Sequence, residues 1–333
     1  MPPQSPAPPP SPSAGPSSAP APGPPAADPA AAPPDPAPAV PAPPSEGPPP
    51  FPPLSRDAVA GVLRAAGCVF AEDEADLILA AARDAREAAG MVERRARGLP
   101  LEQVVGWAGF RGRRIGVAPG VFVPRRRTEF LVAEALAQAP DAAVVVDLCC
   151  GSGAVGAALA AELDGVELHA ADIDPAAVRC ARRNLAGVGG RVHTGDLFEA
   201  LPARLRGRVD VLAANVPYVP TGEIGLLPTE ARDHEPRVAL DGGADGLDVL
   251  RRVAAGAPDW LAPGGCLLVE TSRRQAPAAV RAFTAAGLRT RSAVSEEEDA
   301  HVVVGVAPRP PCPGRPAHGS PAGALTRGSS PGR

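Results

Sequence analysis

The segment Asn215-Val216-Pro217-Tyr218 places an amide, a proline and an aromatic ring directly after an apolar run. The run from Val209 to Asn215 predicts a buried strand, and open α/β sheets bind ligands at the carboxyl ends of their strands. The Asn215 amide oxygen and the backbone carbonyl beside Pro217 are two acceptors for the hydrogens of a planar NH2 group. The Tyr218 ring can cover the flat face of that group.

A conjugated NH2 nitrogen is a weak nucleophile, so its substitution depends on positioning and electrostatics rather than on a covalent intermediate. Transfer of a methyl group fits this requirement. We therefore predict catalytic roles for Asn215, Pro217 and Tyr218. An ordinary Asn-Pro turn after a strand is the alternative, and these four residues taken alone favour it.

Residues 144–163 combine an apolar strand, a glycine turn and a helical pattern. A turn of this kind points free backbone N–H groups at a ligand. About twenty residues after the turn, a second strand ends at Asp172, at the spacing of an acid that binds ribose hydroxyls. A third short strand ends at Asp196, which is placed to reach an adenine amino group. This order of elements predicts an adenosine-containing cofactor.

The chain has 333 residues and a formal net charge of -4, enough for a sizeable core. Strand and helix patterns alternate over residues 124–306, which predicts an α/β, doubly wound sheet covered on both faces. Residues 54–105 have helical periodicity and predict a small helical domain. Residues 106–123, with alternating polarity and several glycines, predict a β-hairpin linker. Thr128 is predicted as the N-cap of the next helix.

Residues 1–53 and 307–333 are dominated by Pro, Ala, Ser and Gly and are predicted to be disordered tails. The sequence shows neither a secretory leader nor an apolar run of about 18 residues, so we expect a cytoplasmic protein. The slightly acidic net charge disfavours direct binding of nucleic acid. An acidic partner such as RNA or the ribosome is the alternative for a set of arginines that is therefore predicted to form a solvated face, at positions 94, 95, 97, 111, 113 and 114.

The six cysteines form no Cys-x-x-Cys pair and are predicted to be small, buried and reduced, at positions 68, 149, 150, 180, 266 and 312. His193 and His234 are predicted to be ordinary loop histidines, and no metal site is expected. Glu235-Pro236 and the glycine-rich residues 240–246 together predict a flexible segment that folds over a substrate.

Together these residues resemble the protein-(glutamine-N5) methyltransferase family of the HemK/PrmC type, a class I S-adenosylmethionine-dependent methyltransferase family. The resemblance covers residues 54–306. Its most specific part follows the Asn-Val-Pro-Tyr segment and comprises Glu235-Pro236, Ala239-Leu240, Gly242-Gly243 and Asp245-Gly246-Leu247. The resemblance implies a Rossmann-like sheet and an amino-terminal helical domain that recognises the substrate.

The resemblance also implies site roles. Asn215, Val216, Pro217 and Tyr218 would bind the glutamine amide of a protein, in this family a peptide-chain release factor. The residues that would hold the cofactor S-adenosyl-L-methionine are Asp147, Cys149, Cys150, Gly151, Ser152, Gly153, Asp172, Asp196, Leu197 and Asn215.

Two residues depart from the family pattern. Cys149 replaces the first glycine of the turn, which predicts a backbone conformation there that is open to a side chain. Val216 replaces the first proline of the Asn-Pro-Pro-Tyr motif, which frees φ but leaves the backbone carbonyl available.

Two other functions stay open. A nucleic-acid methyltransferase acting on adenine N6 or guanine N2 would use the same clamp, although no target-recognition domain or basic balance accompanies it. An inactive cofactor-binding scaffold is the second. In the main interpretation, nucleic acid meets the protein indirectly, through the ribosome or the release factor, and no membrane partner is expected.

Overall fold

The computed structural model describes residues 54–309, so the tails predicted to be disordered fall almost wholly outside the described residues. Four helices come first. Ser55 and Asp84 cap two of them, because their side-chain oxygens accept hydrogen bonds from the backbone N–H groups of Ala58 (3.2 Å) and Glu87 (2.7 Å). The helices are α1 (Arg56–Ala65), α2 (Ala71–Ala81), α3 (Ala85–Ala96) and α4 (Leu101–Val105).

The helices enclose a small apolar core in which Leu63 and Ile78 are fully buried. Arg95 of α3 is also buried, against the prediction of a solvated face, and Arg111 is partly buried against Glu162. The other arginines of that prediction are exposed, at positions 94, 97, 113 and 114. Burial is tolerated because the Arg95 guanidinium forms two hydrogen bonds, of 2.6 and 3.0 Å, to the buried carboxylate of Glu74.

A two-stranded antiparallel hairpin follows, made of β1 (Trp107–Phe110) and β2 (Arg113–Gly116). Strand pairing therefore occupies the first part of the predicted linker. The second part of the predicted linker, residues 117–123, contains no strand, and Val121 and Val123 are buried there. The Gln103 side chain of α4 donates to the Val121 carbonyl at 3.0 Å and fixes this stretch to the helices.

The main sheet has seven strands in the order β5-β4-β3-β6-β7-β9-β8. Strands β3 to β7 are parallel, and β9 runs antiparallel to both β7 and β8. The strands are β3 (Val144–Leu148), β4 (Glu167–Asp172), β5 (Arg191–Thr194), β6 (Val209–Ala214), β7 (Leu261–Thr271), β8 (Arg289–Ser295) and β9 (Ala300–Val306).

Strand order reverses between β3 and β6, because β5 is followed in the chain by a strand on the other side of β3. Ligands of open α/β sheets bind at this switch point. The pairing of Leu148 with Ala214 brings the ends of the two strands level, so Cys149 and Asn215 both follow at the same edge.

Helices cover both faces of the sheet and confirm the predicted α/β class. Leu131 and Leu159 belong to the core on one face, and Leu250 and Phe283 to the core on the other. All residues of β3 are buried, and each such apolar side chain contributes about 1.5–3 kcal/mol. The helices are α5 (Glu129–Gln138), α6 (Ala154–Glu162), α7 (Pro175–Leu185), α8 (Thr229–His234), α9 (Asp248–Gly256) and α10 (Ala276–Ala285).

Several smaller predictions need correction. His193 lies in β5 and His234 ends α8, so neither is in a loop. The His193 ring stacks on the ring of His169 in β4 with centroids 5.1 Å apart. Cys68 and Cys149 are partly rather than fully buried; the five described cysteines are all free, and Cys312 lies outside the described residues. Within residues 54–309, none of the helices has the length and apolar character needed to cross a membrane.

Candidate active site

A cavity of about 860 Å³ lies at the carboxyl edge of the parallel strands. Every predicted site residue except Gly153 lines it. The structure thus brings the glycine turn and the Asn-Val-Pro-Tyr segment to one cavity. Gly153 instead faces α7, where an added Cβ would lie 3.2 Å from the Ala181 side chain. It is needed there for the close approach of α6 and α7, and its φ of 81° suits glycine.

The turn after β3 has a left-handed backbone at Cys149 and Gly151, each with a φ of 54°. The prediction that Cys149 adopts a conformation open to a side chain was wrong. The turn keeps the backbone of a glycine position, and the cysteine carries the resulting strain. Burial raises the pKa of its thiol, which keeps it protonated.

Two acids stand at the strand ends beside this turn. The Asp147 carboxylate accepts the Gly156 N–H at 2.9 Å, and burial raises its pKa to about 7. Asp172 accepts the N–H groups of Gly151 (2.8 Å) and Asp174 (2.9 Å), and burial raises its pKa as well. Each carboxylate oxygen has two lone pairs, so Asp172 retains acceptor capacity toward the cavity.

The third acid, Asp196, accepts a hydrogen bond of 2.7 Å from the Arg252 guanidinium of α9. The next residue, Leu197, has a φ of 47°, which is unusual for a side chain of this size. Strained backbone is concentrated at functional sites. Of the non-glycine residues with positive φ in residues 54–309, Cys149 and Leu197 both line the cavity.

Asn215 is oriented by a residue that the sequence assigned to another role. Its side-chain Nδ2 donates to the Thr128 hydroxyl at 3.2 Å. Thr128 makes no side-chain cap bond to α5 and has a helical backbone, so the N-cap prediction was wrong. Within residues 54–309 the Asn215 Oδ1 receives no hydrogen bond, and neither does the Val216 carbonyl. Two acceptor oxygens therefore remain free beside the cavity.

Tyr218 lines the same cavity, and its hydroxyl lies between two charged groups. It accepts a hydrogen bond of 2.6 Å from Arg127 Nη2 and donates one of 3.3 Å to Glu270 Oε1. Burial, reinforced by the negative charge of Glu270, raises the pKa of Tyr218 to about 12. The phenol is therefore neutral near pH 7 and is not a general base there.

The glycine-rich residues 240–246 pack against the backbone of Tyr218 and Val219 and do not form a free flap. The Gly242 N–H donates to the Val219 carbonyl at 2.9 Å. The Gln275 side-chain amide donates to the carbonyls of Tyr218 (2.8 Å) and Asp245 (3.0 Å). The prediction of flexibility was wrong for residues 240–246, because they are closely packed and leave no room for a Cβ at Gly246.

Residues 227–240 form a cap over the cavity, and α8 lies within it. Glu230 of the cap binds Arg95 of the helical segment at 2.6 Å. Glu235 binds Arg125 at 2.6 Å and accepts the Val123 N–H at 3.1 Å. The acids at both ends of α8 are thus paired with arginines from earlier in the chain.

Sequence reasoning missed Arg127, Glu270, Gln275 and the pairing of Arg95 with the cap. Glu270 alone carried a signal, because it is an acid at the end of an apolar run that enters the cavity edge. The other contacts join residues more than fifty positions apart and have no local pattern.

The amino-acid sequence is similar to those of known methyltransferases. The profile of the methyltransferase small domain matches residues 114–225. A release factor glutamine methyltransferase of Geobacter sulfurreducens is 42% identical over 200 residues, which cover 60% of this chain and 69% of that protein. The chain belongs to the release factor glutamine methyltransferase family. This confirms the resemblance drawn from the sequence.

Two further relatives of this methyltransferase differ in their acceptors. A release factor glutamine methyltransferase of Streptomyces coelicolor is 41% identical over 189 residues, 56% of this chain and 67% of that protein. A 4-amino-L-phenylalanine/4-methylamino-L-phenylalanine methyltransferase of Streptomyces pristinaespiralis is 38% identical over 203 residues, 59% and 69%. Family membership therefore fixes the methyl transfer more firmly than it fixes the acceptor.

Proposed function

We propose that this protein transfers the methyl group of S-adenosyl-L-methionine to the side-chain amide nitrogen, N5, of a glutamine in a peptide-chain release factor. The observation that carries the proposal is the orientation of Asn215. Its Nδ2 is bound by Thr128, which leaves Oδ1 as an acceptor beside the Val216 carbonyl and the Tyr218 ring. The names of the relatives supply the release factor as the acceptor.

The cavity has hydrogen-bond acceptors and an apolar wall that fit S-adenosyl-L-methionine. The remaining lone pairs of Asp172 suit ribose hydroxyls, Leu197 offers an apolar wall to adenine, and Asp196 an acceptor to its amino group. The left-handed turn at 149–151 lets the backbone approach closely, and Asp147 places negative charge near a cationic ligand. When bound, the cofactor supplies an electrophilic methyl group on a sulfonium sulfur.

The protein's own residues would orient the nitrogen. Asn215 Oδ1 and the Val216 carbonyl each accept one N–H of the acceptor amide, which directs the nitrogen lone pair toward the methyl group. As the N–C bond forms, positive charge develops on nitrogen, and these two oxygens stabilise it. The Tyr218 ring packs on the amide plane and excludes water. The released proton passes to solvent.

A direct test combines the purified protein, radiolabelled cofactor and a release factor, followed by mass spectrometry of the modified peptide. We expect one methyl group on a glutamine side chain. Asn215→Ala should abolish turnover and leave the cofactor Kd unchanged. Bound cofactor without any label on glutamine would refute the assignment.

A second acceptor class is favoured by one observation, the relative that methylates 4-amino-L-phenylalanine. An aromatic amine, like an amide, presents a planar NH2 group whose lone pair is conjugated. The same assay with 4-amino-L-phenylalanine as acceptor separates the two classes. Label on the small amine and none on the release factor would favour the second class.

We further propose a division of labour along the chain. Residues 54–105 would recognise the protein substrate, residues 106–123 would link, and residues 124–306 would catalyse. Truncation to residues 106–333 should then leave the cofactor Kd within about three-fold and raise KM for the release factor at least about ten-fold. An unchanged KM would remove the recognition role from the helical segment.

A further inference from the structure

The Tyr218 hydroxyl is held by a network that the proposed reaction leaves unused. Arg127 Nε donates to Glu270 Oε1 at 3.1 Å, while Arg127 Nη2 donates to the tyrosine oxygen at 2.6 Å. The same Glu270 oxygen accepts the phenolic O–H at 3.3 Å. The three side chains thus close a ring of hydrogen bonds next to the cavity.

Glu270 is almost completely buried, with 1% of its surface exposed, and its Oε2 has no hydrogen-bond partner within residues 54–309. Every hydrogen bond to this carboxylate therefore comes from Arg127 and Tyr218. A buried carboxylate with so few partners costs free energy. Such a cost is tolerated at sites where the group serves a function beyond stability.

The network has a rigid base. Glu270 lies near the end of β7, which pairs with β6 on one side and β9 on the other. The partner of Val269 in β6 is Ala214, so Glu270 stands level with Asn215, the residue that grips the acceptor. Arg127 comes from the turn before α5, next to Thr128, which orients Asn215.

We propose that Glu270 and Arg127 are positioning residues that hold the Tyr218 ring against the acceptor amide through the tyrosine hydroxyl. The inference rests on the proposed function and adds two residues to it. A phenylalanine at 218 would keep the ring and lose both anchors. Because reacting atoms must be aligned within fractions of an ångström, a ring free to tilt lowers kcat more than it changes cofactor affinity.

A double-mutant cycle tests whether Glu270 positions the Tyr218 ring through the tyrosine hydroxyl. We expect Tyr218→Phe and Glu270→Gln each to lower kcat about ten-fold and to leave the cofactor Kd unchanged. The double variant should be no slower than either single variant, because both changes remove the same anchor. Independent, multiplying losses of about a hundred-fold would overturn the proposal.

Arg127 provides a third variant, and its side chain is 43% exposed. Urea unfolding must accompany it, because the change takes the cation away from the buried Glu270 carboxylate. Arg127→Met should lower kcat to a similar extent. It should lower kcat no further in the Tyr218→Phe/Glu270→Gln double variant, which has no buried carboxylate at position 270. Full kcat in Arg127→Met would remove Arg127 from the network. Glu167→Gln is the matched control and should retain wild-type kinetics. Glu167 lies on β4 and is paired with the surface arginines Arg191 and Arg204.

A second readout needs no methyl acceptor. Tyr218 is the sole tyrosine of the chain, so the phenolate absorbance and a single 13Cζ-tyrosine resonance report on this residue alone. Glu270→Gln should move the phenol pKa from about 12 toward its ordinary value of 10.0, because a nearby negative charge is removed. An unchanged titration in a folded variant would overturn the proposal. If the release factor is not methylated but the titration shifts as expected, the network stands and the proposed function fails.

Discussion

The Asn215 amide has its nitrogen bound to Thr128, so a rotation of the side chain by half a turn would exchange acceptor for donor and lose that bond. One hydroxyl thus decides which atom the acceptor amide meets. This hydroxyl belongs to a residue whose sequence context, just before a helix, indicated capping.

Thr128→Val removes this hydroxyl with little change in shape. We expect kcat to fall about ten-fold, because Asn215 then samples both amide orientations, with the cofactor Kd unchanged. Steady-state kinetics and calorimetry measure the two effects. Thr284→Val on α10, whose hydroxyl bonds the Val280 carbonyl, is the matched control. Equal kinetics in Thr128→Val and wild type would contradict the assigned role.

We expect Asp147 to make cofactor binding dependent on pH. Its pKa of about 7 in the free protein means that it is protonated below this pH and loses its attraction for a cationic ligand. We expect the Kd for S-adenosyl-L-methionine to rise as the pH falls below about 7. Asp147→Asn should bind about ten-fold more weakly above that pH, with little pH dependence.

Calorimetry from weakly acidic to weakly alkaline pH measures this dependence. Asp210→Asn is the matched control, since Asp210 accepts the Ala143 and Val144 N–H groups at the opposite edge of the sheet. A Kd that is independent of pH in the wild type would contradict the role of Asp147.

Cys149 offers a stability test of the turn. Glycine pays no steric penalty at a φ of 54°, although it loses more entropy on folding. Cys149→Gly should therefore raise the free energy of unfolding by about 0.5–1 kcal/mol. Urea unfolding measures the change. Cys68→Ala, at a position with ordinary φ, should not increase stability, and a destabilised Cys149→Gly would show that the thiol packing outweighs the strain.

Among the elements, β3 and β6 were predictable because their apolar runs are buried on both faces and require no distant partner to be recognised. Helices α8 and α9 were not. They have 6 and 9 residues and lie among prolines and glycines that read as loop, and their formation depends on packing over the cavity. The glycine spacing after Tyr218 was visible, but its meaning depends on neighbours such as Gln275.

The loop of residues 240–246 yields a sharp contrast between glycines. A Cβ at Gly246 would overlap the Tyr218 carbonyl oxygen and the Gln275 amide, and its φ is 76°. We expect Gly246→Ala to destabilise the protein by about 1–3 kcal/mol and to lower kcat by displacing Tyr218. Gly222→Ala, where a Cβ meets no atom within 4 Å, should be neutral in both measurements. Equal behaviour of the two variants would contradict the supporting role of the loop.

The whole molecule carries a pH-sensitive pair away from the cavity. His169 and His193 are stacked, with Nδ1 and Nε2 2.8 Å apart, and burial lowers the pKa of both below the ordinary value of 6.5. The unfolded chain therefore takes up protons before the folded protein does as the pH falls. The contribution of this pair to the free energy of unfolding should therefore decrease below about pH 6.5, whereas Asp147, whose pKa burial raises to about 7, contributes in the opposite direction.

Urea unfolding across this range measures the slope. His193→Gln should lose less stability than wild type as the pH falls, because one of the two histidines no longer titrates. His234→Gln, at the end of α8 and outside the stacked pair, should keep the wild-type slope. Equal pH dependences of the free energy of unfolding in wild type and His193→Gln from about pH 7 to 5 would contradict the prediction.

Arg95 joins the amino-terminal helical segment to the cap, residues 227–240, through an ion pair with Glu230. Movement of the cap away from the cavity would break the bond between Arg95 and Glu230 and leave the buried guanidinium with one carboxylate, that of Glu74, at a cost of about 1.5–3 kcal/mol for a charged hydrogen bond. The ion pair therefore disfavours independent motion of the helical segment and the cap. An acceptor that contacted both would bind without the entropy cost of first ordering one against the other.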